Sequence, residues 1–289
     1  MPHTISPPLE KTAPAWDDRL LADPHAVADK RRRVQQMFAA IAPSYDLNNR
    51  LHSLGVDQLW RRKAVSLSEL KATDRVVDVA CGTGDLAFEY GRQLRRRHNG
   101  RIMPDELVDG HGVAAVVGVD FTFQMLPLAR RKTPSITSLA VDEVAATEFV
   151  PNLWVNGDAQ SLPLANASAD VVSIAFGIRN VQDPAAALAE FRRVLRPGGR
   201  VIVLEFSLPT NPVLRGLYNA YFRHVLPRTA TLVSGDRTGA YKYLPESVNT
   251  FIGRPQMVAM ITAAGFADVE QFPMTFGVCV CYRGAVPSC

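Results

Sequence analysis

The stretch Arg75-Val76-Val77-Asp78-Val79-Ala80-Cys81-Gly82-Thr83-Gly84-Asp85 decides how the rest of the chain is read. It begins as a short run rich in β-branched residues, the composition of a buried strand. It then breaks into small residues and continues as a helix at Leu86-Ala87-Phe88-Glu89-Tyr90. Strand, tight glycine turn and helix form the opening unit of a nucleotide-binding α/β domain. Glycine suits such a turn because a residue without Cβ lets the backbone approach a ligand closely and take positive φ. The helix behind the turn aims its free N–H groups at whatever lies over it.

Two ligands compete for that turn. Gly82-Thr83-Gly84-Asp85-Leu86-Ala87 satisfies the loose dinucleotide fingerprint G-x-G-x-x-A, which points to an NAD-dependent oxidoreductase. The acids Asp78, before the turn, and Asp85, in the first helical turn, favour a different chemistry. A carboxylate there repels a pyrophosphate and attracts a cation or a hydroxyl-bearing ligand without phosphate. S-adenosylmethionine, with its sulfonium, ammonium and ribose diol, is such a ligand. A structural turn with no ligand is a third reading.

Outward from the turn, strands alternate with helices. Residues 113–120, 153–156, 169–176 and 200–206 read as strands; 125–132, 185–195 and 255–264 read as helices. Two final strands are expected over 269–273 and 276–282. Upstream, helices over 29–42 and through Trp60-Arg61-Arg62-Lys63 flank a polar, aromatic segment at 44–55. This alternation predicts a Rossmann-like, doubly wound sheet with ligands at the carboxyl ends of its strands. Asp78, Asp120, Asp158 and Gly177 all fall at or just past strand ends, which argues for one shared site. Asp120 follows the turn by more than the usual spacing of about 20 residues. Insertions are therefore expected around 98–112 and over 133–151.

With 289 residues, 47% hydrophobic and 21% charged, the chain can bury a sizeable core. Its proline-bearing residues 1–27 lack the apolar block of a secretory signal and read as a disordered tail. Residues 28–289 then form a single domain, with helices over 28–70 and a lid or substrate segment over 208–250. The net charge of +4 is carried by small arginine groups within helical patterns, so no nucleic-acid partner is expected. No run approaches the roughly 18 apolar residues of a spanning helix. The four cysteines make no C-x-x-C pair and no histidines cluster near them. A reduced, metal-free, cytoplasmic protein is expected.

Several segments together resemble the UbiE/MenG family of S-adenosylmethionine-dependent C-methyltransferases of menaquinone and ubiquinone biosynthesis. They are Asp78-Val-Ala-Cys-Gly-Thr-Gly-Asp85, Gly157-Asp-Ala-Gln-Ser-Leu-Pro163, Phe176-Gly-Ile-Arg-Asn180, Arg193-Val-Leu-Arg-Pro-Gly-Gly199 and Glu205-Phe-Ser207. Tyr45-Asp-Leu-Asn-Asn49, Trp60-Arg61 and Tyr241-Lys-Tyr-Leu-Pro-Glu-Ser247 fit the same pattern, and the likeness spans residues 34–284. It implies a class I methyltransferase fold, mostly parallel with a last antiparallel strand. It further implies that Gly82, Thr83 and Gly84 line the methionine part of the donor, with Asp78 and Ala175 at the same site. Asp120 would accept from the ribose hydroxyls, and Asp158 from the adenine amine beside the Ala159 N–H.

The implied reaction places a methyl group on a ring carbon of a polyprenylated hydroquinone, with demethylmenaquinol favoured over a 2-polyprenyl-6-methoxy-benzoquinol. Arg179 cannot be the base, because guanidinium stays protonated in proteins. It is expected to stabilise the developing phenolate, with Asn180 orienting it or the substrate. Asp46, Tyr45 and then His52 are the proton-acceptor candidates. Apolar positions from Val213 to Leu226 at helical spacing read as a lid helix packed on the sheet, ahead of direct membrane insertion. A peripheral contact with the inner face of the membrane is expected only for reaching the substrate. Oligomeric state stays open, a homodimer included. An oxidoreductase would need a Tyr-x-x-x-Lys site after the fourth strand, and none follows it.

Overall fold

The computed structural model describes residues 15–97, 115–133 and 152–288. Its centre is a seven-stranded sheet in the order β3-β2-β1-β4-β5-β7-β6. The strands are β1 (Arg75–Val79), β2 (Ala115–Asp120), β3 (Asn152–Asn156), β4 (Ala169–Ala175), β5 (Leu195–Phe206), β6 (Ala267–Met274) and β7 (Cys279–Ala285). The first five are mutually parallel, and β7 runs antiparallel to both β5 and β6. Central strand β1 is buried on both sides, which is why it reads as an unbroken apolar run. Alternate side chains go to opposite layers. Val77 and Val79 pack with Leu188, Phe191 and Ile261, while Val76 packs with Trp60, Leu86 and Tyr90.

The helices flanking the sheet follow the expected order: α1 (Lys30–Ile41), α2 (Tyr45–Ser53), α3 (Val56–Leu67), α4 (Asp85–Arg97), α5 (Leu126–Lys132) and α6 (Pro184–Val194). Asp183 caps α6, its carboxylate accepting from the Ala185 and Ala186 N–H groups. The segment 208–250 folds into α7 (Pro212–Ala220), a π-helical turn at Tyr221–Val225, α8 (Leu226–Ser234) and α9 (Ala240–Asn249), before α10 (Arg254–Ala263). The polar segment 44–55, which shows no apolar period, is largely the helix α2. Arg196 to Gly199, between the expected helix over 185–195 and strand over 200–206, forms an irregularity within β5, with Gly198 at φ +73°. The expected strand start at Phe276 is a 3-10 turn with Phe276 at φ +57°, and β7 begins at Cys279. The insertions expected around 98–112 and 133–151 lie almost wholly outside the described residues.

Two expectations about the ends of this domain change. Residues 15–27 are not a free tail. Trp16 is only 1% exposed and stacks against Tyr243 at 4.4 Å between ring centroids. Ala15, Trp16 and Leu21 join Met37 and Ile41 of α1, and Phe222, Leu226 and Tyr243, in one apolar cluster. Burying the indole, with Ala15 and Leu21 beside it, offsets part of the entropy lost in ordering the segment. The second change concerns α7, which packs no side chain fully into the core and leaves Val213 and Leu217 exposed. The amino-terminal helices and the 208–250 segment thus build a single cap. Trp16→Ala is expected to cost about 3–5 kcal/mol of stability, read as a lower denaturant midpoint, with earlier proteolytic cleavage of the cap. An unchanged midpoint would show that residues 15–27 do not hold it.

Candidate active site

Two cavities open where the cap meets the carboxyl ends of the strands. The first, about 100 Å³, lies over β1, β2 and β4 and is lined by Gly82, Asp120, Asp158, Ala159, Ala175 and Asn180, with Arg31, Phe38 and Met125. Asp120 accepts from the Gly82 N–H at 2.7 Å through Oδ2 and from the Thr122 N–H at 2.7 Å through Oδ1. The Thr122 hydroxyl adds a further bond, and the carboxylate keeps acceptor capacity for another donor. Burial pushes this carboxyl up to about 6, against the pull of those backbone bonds. Asp158 faces the same space, ion-paired with Arg31 at 2.9 Å and accepting from the Gln160 N–H.

The glycine turn divides its duties. Gly82, at φ +55°, lines the cavity. Gly84 does not: a Cβ there would stand 2.5 Å from the Trp154 ring, so close packing and not a ligand demands glycine. Thr83 and Asp78 line a small recess beside the turn, with Arg61, Tyr45 and Ala175. Thr83 donates to Asp46 Oδ1 at 2.6 Å, and Lys132 Nζ bridges Asp46 at 2.5 Å and Asp85 at 3.0 Å. Asp46, expected as a proton acceptor, is therefore part of a clamp tying α2 to the start of α4 and the end of α5, and it is absent from the lining of the second cavity.

That second cavity, about 250 Å³, is largely aromatic, lined by Phe38, Tyr45, Trp60, Phe176, Phe206, Phe222, Tyr241 and Tyr243. Arg179 lines it and is 4% exposed. Its Nη1 donates to Glu205 Oε1 at 2.6 Å and to the Phe176 carbonyl at 2.8 Å, and its Nε to Ser247 Oγ at 3.3 Å. Asn180 touches the same carbonyl at 3.2 Å and accepts from the Tyr243 hydroxyl at 3.0 Å. It orients Arg179 only through that shared acceptor. Burial lifts the Glu205 carboxyl above its ordinary range, although Arg179 pulls it down. His52 also lines the cavity, with Nδ1 2.9 Å from the Asn48 carbonyl and Nε2 2.8 Å from the Thr229 hydroxyl. A carbonyl only accepts, so Nδ1 carries the proton of the neutral ring and Nε2 keeps its lone pair. Tyr45 borders both cavities, and burial raises its phenol, which stays protonated at neutral pH.

The structure thus brings Gly82, Asp120, Asp158, Ala159, Ala175 and Asn180 to one cavity and Arg179 and Tyr45 to the next. Sequence reasoning missed Arg31, Glu205 as the partner of Arg179, and the cap aromatic Phe38, while Phe222 falls within the apolar lid segment it singled out. Only Glu205, an acid closing an apolar strand, carried a signal of its own. Two non-glycine residues in the left-handed region, Ala80 (φ +52°) and Phe176 (φ +58°), end β1 and β4 directly under the site. Such strain costs on the order of 1–3 kcal/mol each and concentrates where function holds it.

Residues 26–286 match the model of the ubiE/COQ5 methyltransferase family. The chain is 43% identical over 251 residues to a demethylmenaquinone methyltransferase of Thermus thermophilus, covering 87% of this chain and 100% of that one. It is 42% identical over 250 residues to the Deinococcus radiodurans demethylmenaquinone methyltransferase, covering 86% and 91%. A ubiquinone/menaquinone biosynthesis C-methyltransferase UbiE of Geobacter sp. strain M21 is 40% identical over 262 residues, covering 90% and 99%. Among solved structures, a SAM-dependent methyltransferase of Thermotoga maritima shares the fold, with TM-score 0.53 and 18% identity over 86% of this chain and 98% of that one.

The Arg179–Glu205 pair is buried on both sides, so removing one charge strands the other. Glu205→Gln is expected to lower unfolding free energy by about 3–5 kcal/mol, measured by chemical denaturation. A loss below about 1 kcal/mol, the size of an exposed pair, would show that the guanidinium finds another partner.

Proposed function

The chain belongs to the ubiE/COQ5 methyltransferase family, and we propose that it transfers the methyl group of S-adenosylmethionine to a ring carbon of demethylmenaquinol in menaquinone biosynthesis. The observation that carries this reading is the pairing of two unlike cavities. One is lined by strand-end carboxylates and backbone N–H groups, the other by aromatic rings, and they share Phe38, Tyr45 and Phe176. The first suits the donor. Asp120 keeps acceptor capacity for a ribose hydroxyl, and Phe121, Met125 and Ala159 offer apolar faces to a purine.

The sulfonium supplies a methyl group already activated for attack. What remains for the protein is to make a ring carbon nucleophilic and hold it in line, and such positioning contributes substantially to rate. In this proposal the phenolic proton is handed to the Thr229 hydroxyl as that hydroxyl passes its own proton to His52 Nε2. Arg179 serves as a hydrogen-bond donor to the acceptor's oxygen rather than as an isolated cation, because Glu205 already balances its charge. The Tyr218 hydroxyl, buried and without a partner among the described residues, is available to the hydroquinone's oxygens.

A polyprenyl tail needs an apolar way out. The exposed side chains of Leu51 and Leu54, Val213 and Leu217, and Leu232 lie on or beside helices that also supply residues of the aromatic cavity. This supports a tail running along α2, α7 and α8 and a peripheral contact with a membrane surface. Among the described residues, no helix is long and apolar enough to cross a membrane.

Incubation with methyl-labelled donor and either demethylmenaquinol or a 2-polyprenyl-6-methoxy-benzoquinol tests the acceptor. Label is expected in menaquinol, and label entering only the benzoquinol would sink the proposal. A second measurement concerns Asp120. Ribose hydroxyls donate better to its ionised form, and the free protein holds this carboxyl near 6. Donor affinity should be flat above neutral pH and fall about tenfold per unit below pH 6, by titration calorimetry. Asp120→Asn should bind weakly at every pH; a profile as steep as that of the unaltered protein would assign the titration elsewhere.

A further inference from the structure

His25 and Lys30 line neither cavity, yet they join the amino-terminal segment to the turn that carries Arg179. Lys30 opens α1 and is 1% exposed. Its Nζ donates to the Val181 carbonyl at 2.7 Å and stands 3.3 Å from His25 Nδ1. Among the described residues no carboxylate pairs with it, and burial pushes the ammonium down to about 8. A methionine would fill the same space without that cost. His25 Nε2 lies 2.9 Å from the carbonyl of Ser247 on α9. A carbonyl only accepts, so Nε2 carries the proton of the neutral ring and Nδ1 offers its lone pair to Lys30. Ser247 is the shared point, because its hydroxyl accepts from Arg179 Nε at 3.3 Å. The end of the turn is gripped by the same segment. Gln182 accepts from the Arg31 N–H at 3.1 Å and donates to the Val27 carbonyl at 3.4 Å.

Resting on the role given to Arg179 above, we infer that Lys30 and His25 are positioning residues for methyl transfer. Their shared hydrogen bond fixes the 3-10 turn Ile178–Asn180 against α9 and so sets where the Arg179 guanidinium points. Glu205 anchors Nη1 of that guanidinium, but the Nε contact with Ser247 is long and persists only while α9 stays in place. The link needs a neutral imidazole. Protonated at Nδ1, His25 would face the Lys30 ammonium with a proton instead of a lone pair, and Arg179 adds a second repelling charge. Burial lowers the His25 pKa from its ordinary 6.5, and the Lys30 and Arg179 charges add to this, against the Ser247 carbonyl and Asp23. The Phe251 ring, 5.2 Å away between centroids, brings no charge. The link is therefore whole above pH 6.5 and is lost as pH falls through the lowered value.

Two measurements on the full chain test this. Amide hydrogen exchange needs no substrate. Lys30→Met and His25→Ala should each speed exchange at residues 178–182 about tenfold, the worth of one hydrogen bond to a charged group, and leave the β4 amides unchanged. The second is turnover with both substrates saturating at about pH 7.5, where His25 is neutral and Lys30 mostly charged. Both variants should lower kcat about 10- to 100-fold, the range of a misplaced catalytic group, and change donor affinity less than about threefold. His25→Gln should restore most of kcat, since its amide can donate to Ser247 and accept from Lys30. The double variant Lys30→Met/His25→Ala should lose no more than the worse single one, because the two share a link. Unchanged kcat or unchanged exchange at 178–182 in both single variants, even with a lowered thermal midpoint, overturns the inference in favour of a purely structural fastening. Multiplied losses in the double variant overturn the shared link. Absence of transfer to either quinol by the unaltered protein would instead overturn the acceptor reading, and exchange at 178–182 would still decide how the turn is held.

Discussion

A guanidinium cannot shed its proton inside a protein, so burying Arg179 obliges the fold to supply a carboxylate, and much of the site is arranged around that obligation. Arg179 follows β4, and Glu205 closes the neighbouring parallel strand β5. Their ion pair joins the ends of two strands at the level where ligands approach. The same guanidinium reaches the Phe176 carbonyl and, through Ser247, the cap helix α9. One side chain therefore ties together the sheet, the left-handed turn at Phe176 and the cap. Such a pair is weak evidence of stability for its own sake, since apolar replacements of similar shape often do as well. Its value here is geometric: it fixes where the aromatic cavity begins.

The second organising feature is the segregation of charge. Lys132, Asp46, Asp85 and Arg50 neutralise one another on the outer side of the glycine turn. On the inner side, Arg61 and Asp78 line a small recess beside the turn, where burial pushes the Asp78 carboxyl up while the guanidinium draws it down. The strained backbone of Ala80 and Phe176 borders the same region.

The sheet was legible because several strands are β-branched runs with an acid at or near the end, as at Asp78, Asp120 and Glu205, and because turn chemistry marks junctions such as the Asp183-Pro184 cap, though not those at Arg196–Gly199 and Phe276. The strand-end carboxylates were legible for the same reason, since a strand end is fixed by topology and not by loop length. The cap was not. Its core joins Trp16 to Tyr243 and Met37 to the region of Phe222, contacts between segments some two hundred residues apart that leave no local period. Asp46 was misplaced because a helix displays its residues in all directions. Tyr45 and Asp46 are neighbours in sequence, yet one lines the cavities and the other grips Lys132. Gly84 looked like a ligand-facing glycine because no spacing rule reveals an indole behind it.

The wall shared by the two cavities has a thermodynamic consequence. Phe38, Tyr45 and Phe176 border both chambers, so a rotamer change that improves contact with one occupant alters the surface met by the other. Any such influence is a coupling free energy, and it is necessarily mutual: the factor by which the donor changes affinity for the acceptor equals the factor by which the acceptor changes affinity for the donor. The demethylated donor left after transfer has lost its positive charge, so its hold on the same wall differs. Turnover in this architecture is then a sequence of linked equilibria across a shared aromatic wall, in which the departure of each product is conditioned by what still occupies the neighbouring chamber.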